Sequence, residues 1–123
     1  MSATASITLA GPGLPLSKRL DITVPVSATI EVDAVTAQRK ATVWLVSDVG
    51  NLLIGDTPAL VIGQRTVWRV PALLTSPTRG IIGQVGAVDV DAVTGEVLTN
   101  PQLTQDLLTH ARQLASSTAS PVE

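Results

Sequence analysis

The run VDVDAVTGEVL, from Val88 to Leu98, limits what this chain can fold into more than any other stretch. Valines at 88 and 90 alternate with aspartates at 89 and 91, the period of two that puts one strand face in an apolar core and the other in water. Gly95 follows where a hairpin needs a residue of positive φ, and Glu96, Val97 and Leu98 return as the partner strand. In this reading Ala92 and Val93 enter a type I turn, Asp91 bonds back to the turn amides, and both aspartates point to solvent. A chain that makes this hairpin contains an antiparallel sheet.

The same residues form the densest acidic cluster, Asp89, Asp91 and Glu96, which invites a calcium reading. A helix-loop-helix calcium loop needs glycine at its sixth position and a bidentate glutamate at its twelfth. Counted from Asp89 those positions are Thr94 and Asn100, so the match fails and no metal site is expected.

A length of 123 residues suits one core, and its 45% apolar content is aliphatic and alanine, with Trp44 and Trp68 as the only aromatics. A net charge of −2 lacks the basic surplus of a nucleic-acid binder, so neither DNA nor RNA is an expected partner. The absence of cysteine removes disulfides, thiolate nucleophiles and thiolate metal sites. Residues 1–20 lack a basic leading region and are broken by Gly11, Pro12 and Gly13, which argues against a signal peptide and for a cytoplasmic location. No apolar run reaches the roughly 18 residues of a membrane span, so no membrane partner is expected. An N-terminal arm over 1–20, one domain over 21–116 and a flexible tail over 117–123 follow.

Within that domain, Ile22, Val24, Val26, Ile30 and Val32 alternate as one edge strand or two short ones, interrupted by Pro25. Asp33 then reads as a helix N-cap, with Ala34, Ala37, Ala41, Leu45, Val49 and Leu52 at helical spacing, Trp44 widening the stripe, and Gln38, Arg39 and Ser47 on the other side. Gly50 and Gly55 are candidate stops. ALVIG is a short strand, and Thr66–Thr75 a longer one that must lie at an edge or bulge at Pro71. Gly80, Gly83 and Gly86 suggest a wide, bulged loop before a strand over Val85–Val90. Asn100 and Pro101 open a second helix whose apolar face is Leu103, Leu107, Ala111 and Leu114. The sum is an α+β fold with an antiparallel sheet of about four strands packed against two helices.

Candidate chemistry is sparse. His110, the only histidine, lies on the flank of the second helix, where packing beside a sheet or subunit competes with a general-base role oriented by Asp106. The GxxGxxG series lacks the paired glycines of a dinucleotide fingerprint, and no nucleophile elbow, Walker loop or HExxH motif occurs. Trp68 and Arg69 point to opposite strand faces, with the tryptophan expected in the core and the arginine in solvent. Arg65, Arg69 and Arg79 could gather as a small patch for an anionic ligand or partner.

The order helix, strand WRVPALL, glycine-bearing loop, strand AVDVDAVTGEVL resembles the PepSY-type domain, on the strength of the DAVTGEV turn from Asp91 to Val97. The resemblance spans roughly residues 33–98 and implies a noncatalytic α+β binding module. The expected function is accordingly that of a small binding or regulatory protein with no catalytic residues and no cofactor. It would act through its sheet face and the apolar surface of the second helix, with a protein partner or a second copy as a homodimer. Arg65, Trp68, Arg69, Arg79 and His110 are the candidate contact residues. Two alternatives are a small intracellular partner of a toxin or enzyme, and an enzyme with a cystatin-like pocket using Asp89, His110 or Asp106.

Overall fold

The computed structural model describes residues 4–6, 25 and 27–118. Strand β1 is Thr4–Ser6; the other calls on the arm over 1–20, on 21–24 and 26, and on the tail beyond 118 lie outside the described residues. Helix α1 is Ala34–Trp44 and runs directly into a π-helical turn, Leu45–Val49. Strands β2 (Leu53–Gly55), β3 (Ala59–Val61), β4 (Val67–Ser76), β5 (Gly80–Asp91) and β6 (Val97–Leu98) follow, and helix α2 (Pro101–Thr118) ends the described chain. Among the described residues the fold is α+β, two helices on a sheet that is antiparallel apart from β1, with six strands where about four were expected; the added ones are two or three residues long.

The sheet is organised around β4. It pairs with β5 along its length, with β3 at Val67–Arg69 and with β2 at Ala72–Leu74, all antiparallel; β1 adds to β3 in parallel and β6 to the end of β5. Pro71 is therefore neither at an edge nor in a bulge. It falls in the gap between β3 and β2, and its carbonyl, turned toward that gap, accepts the Asp56 N–H at 2.8 Å. The missing proline donor faces the same gap, where no ladder bond is lost.

The bulges occur farther along. Opposite Ala72–Leu73 and Leu74–Thr75 the partner strand skips Val85 and Ile82, so two extra residues sit in β5 and not in a wide loop. The connection itself is short, Pro77 to Arg79, and residues 80–86 belong to the strand. The run expected as a strand before α1 makes no ladder over its described part; the Glu31 and Val32 N–H groups both donate to the Ala92 carbonyl.

Both helices cover the same sheet face. Trp68, Val70, Ala72 and Leu74 of β4 and Val85, Val88 and Val90 of β5 meet Ala34, Ala37, Ala41 and Leu45 from the α1 side and Leu107 from α2 in one core. Asp33 caps α1 by accepting the Thr36 N–H at 2.7 Å, and Asn100 caps α2 by accepting the Leu103 N–H at 2.8 Å. The first helix ends at Gly50, whose N–H reaches back five residues to the Leu45 carbonyl; Gly55, the other proposed stop, is buried in β2. Gln38, expected on the outer side, instead donates to the Gly55 carbonyl at 3.0 Å, while Thr42 Oγ1 accepts the Gly55 N–H at 3.0 Å. The edge of β2 is thus satisfied by two α1 side chains.

Candidate functional site

The arginines predicted as one patch are divided. Arg69 stands on the helix-free sheet face and grips Asp89 through Nε and Nη2 at 2.9 and 3.0 Å. Arg65 places Nε 3.1 Å from Asp91. Arg79 follows β4 at the opposite end of that ten-residue strand, about 30 Å away along an extended chain. An anion would have to displace a carboxylate from Arg65 or Arg69, and Arg79 cannot join them.

Trp68 is buried in the core, with its indole N–H donating to the Val32 carbonyl at 2.6 Å, so it presents nothing to a partner. His110 is exposed, with Nδ1 2.9 Å from the Val85 carbonyl oxygen. A carbonyl only accepts, so Nδ1 carries the proton. Val85 is one of the two bulged residues, and the imidazole satisfies a carbonyl that the bulge removes from the regular ladder. Asp106 accepts from Gln102 at 2.9 Å and does not orient the ring. Asp89 lies on the far side of the sheet from α2, so Asp89, Asp106 and His110 do not converge.

The acidic hairpin is as the turn chemistry requires, with one correction. Gly95 has φ 78°, and Val93 and Thr94 donate backbone N–H groups to Asp91 Oδ1 at 2.8 and 2.9 Å. Asp91 does not point to water; it is 6% exposed, folded under its own turn and against Arg65. The Thr94 amide first, then the Val93 amide, hold its carboxyl below the usual range. Among the described residues no group of acidic or histidine side chains is placed to hold a metal ion.

The apolar surface of α2, expected as a contact face, is consumed inside the fold. Leu107 is buried and Leu103, Ala111 and Leu114 pack on the same core. Side chains at Gly83 and Gly86 would collide with Leu114 and Leu107, so these glycines seat α2 on β5 and do not cradle a phosphate.

A surface that the sequence reading passed over lies on α1 and the π-helical turn that continues it. Val35, Val43 and Val46 are 43%, 60% and 43% exposed, on the side away from Ala37 and Ala41. Beside them a groove of about 430 Å³ is lined by Arg39, Lys40, Val43, Trp44, Ser47 and Asp48, with Val97 of β6 as its other wall. A second cleft of about 320 Å³ continues along the helix past Val35, Gln38 and Thr42, sharing Arg39 and Val43. The π-helical turn supplies Ser47 and Asp48; such turns are rare and occur often at functional sites. The signal was available: the stripe through Ala34, Ala37 and Ala41 leaves three valines of the same helical run off the core face.

Among the described residues no helix is long and apolar enough to cross a membrane. No family model, curated protein or solved structure matches this chain.

Proposed function

We propose that this is a noncatalytic binding protein that acts by protein–protein contact through the outer face of α1. The observation that carries this reading is the exposed valine row Val35, Val43 and Val46 beside the Trp44–Val97 groove. Single exposed apolar residues are ordinary, whereas several of them gathered beside an apolar groove with charged margins are the usual form of a contact surface. The groove is open and mostly apolar, and Arg39, Lys40 and Asp48 supply charge at its margins and no paired acid and base at its centre. A cytoplasmic setting and self-association belong to the same reading. A helix ahead of the paired strands β4 and β5, with β2 and β3 between, and the DAVTGEV turn are what support grouping it with PepSY-like binding modules.

The test is co-purification of tagged chain from its native cell, comparing wild type with Val43→Glu and with Ile81→Lys as a control on the helix-free face. Loss of the bound protein with Val43→Glu alone is the expected result. Retention by Val43→Glu and loss by Ile81→Lys would move the contact to the sheet.

A further inference from the structure

The groove carries its charges in an order. Arg39 and Lys40 stand at one end and Asp48 at the other, nine residues or about 13 Å along the helix axis, with Val43 and Trp44 midway between them. Among the described residues Lys40 and Asp48 take part in no ion pair, and Arg39 makes none within 4 Å, acting on the Asp33 carboxyl only through its field; Arg65 and Arg69 are paired. A strip that is positive, apolar and negative in turn is complementary to itself when one copy is rotated by half a turn about its midpoint. This is the condition that an isologous interface imposes, since each contact is then made twice.

We propose that the outer face of α1 is a two-fold self-contact in which Arg39 and Lys40 of one copy meet Asp48 of the other, across Val43 side chains packed at the axis. The inference rests on the reading of this groove as a protein-contact surface, and it names a second copy of the chain as the occupant. Antiparallel helices in such a pair bury Val43, which the monomer leaves 60% exposed, and they oppose the two helix dipoles favourably. The helix-free sheet face stays open in the dimer.

Two charge-reversed proteins test it. Asp48→Arg leaves only cations on the rim, and Arg39→Glu with Lys40→Glu leaves only anions. Each should weaken self-association by about tenfold or more through like-charge contact made twice, and an equimolar mixture of the two should restore the dimer mass in light scattering. Matching melting curves by circular dichroism would show that both variants are folded. A monomeric wild type, variants that stay dimeric, or a mixture that stays monomeric would each overturn the proposal. The outcomes also separate it from the broader reading. If the wild type is monomeric yet Val43→Glu sheds a cellular partner, the self-contact falls and the groove remains a binding surface.

Discussion

Helix α2 turns its large side chains inward and helix α1 turns its small ones. Along α2, Leu103, Leu107, Ala111 and Leu114 face the sheet while Gln102, Gln105, Asp106, Thr109, Arg112 and Gln113 are exposed, the ordinary division of a surface helix. Along α1 the inner positions are Ala34, Ala37 and Ala41, and the outer ones Val35 and Val43, followed by Val46 in the π-helical turn. Alanines inside let the helix approach β2 closely enough for Gln38 and Thr42 to bond Gly55. Valines outside gain nothing from the monomer core and are poorer helix formers than alanine. Amphipathicity alone thus pointed to a helix whose stripe is already spent on the fold.

The largest expected effect breaks this comparison if it fails. Leu107→Ala removes the α2 anchor, 1% exposed, and should cost about 2–5 kcal/mol in urea unfolding. Val43→Ala should change stability by less than about 0.5 kcal/mol in dilute protein, where self-association adds nothing. A Val43 cost equal to that of Leu107 would mean that the valine row belongs to the monomer core.

Smaller effects sharpen how each helix sits on the sheet. A Cβ at Gly55 would lie 2.8 Å from Val70 Cγ1 and 3.0 Å from Thr42 Oγ1, between a core strand and the α1 clamp. Gly55→Ala should therefore cost about 1–3 kcal/mol by overpacking. At Gly86 the obstacle is Leu107 Cδ2 at 2.7 Å, the end of a side chain that is itself fully buried, and the φ of 158° is unfavourable for any side chain. Gly86→Ala should therefore cost about 1–3 kcal/mol as well, through backbone strain added to overpacking. A cost near zero at Gly86 in thermal melts would place the tighter helix–sheet contact under α1.

What the sequence disclosed, and what it withheld, follows the same division between regular and irregular backbone. Alternation marked Val88 and Val90 as core, the cap and proline marked the start of α2, and Gly95 marked its turn, because each of those signals is local. Strand β2 was hidden inside an extended helical pattern, since Leu52 continues the spacing that the π-helical turn actually breaks at Gly50. The bulges at Ile82 and Val85 depend on where β4 and β5 fall into register, which no single stretch encodes. The role of His110 was unreadable for that reason: its partner carbonyl is created by a bulge 25 residues away. Of the candidate site, the charged and apolar residue types were visible, but the second wall, Val97, becomes a neighbour of α1 only through the sheet.

The smallest effect separates the helices by pH. Helix α1 is capped by a carboxylate and α2 by an amide, so only the first cap titrates. The backbone hydrogen bond from Thr36, ahead of the side-chain bond and the charge of Arg39, holds the Asp33 carboxyl below the usual range. A folded pKa below the unfolded one gives stability that is present above the unfolded value, about 3.9, and lost as pH falls through the depressed folded value. Hydrogen exchange at Thr36 should therefore speed up as pH drops below that point, beyond the intrinsic pH dependence, while Leu103 on α2 keeps its protection. Asp33→Asn preserves an acceptor at the cap and should abolish the difference, whereas Asp91, also depressed, would loosen the hairpin without singling out the first turn of α1. Equal loss at Thr36 and Leu103, persisting in Asp33→Asn, would show that acid acts on the fold as a whole and not on one cap.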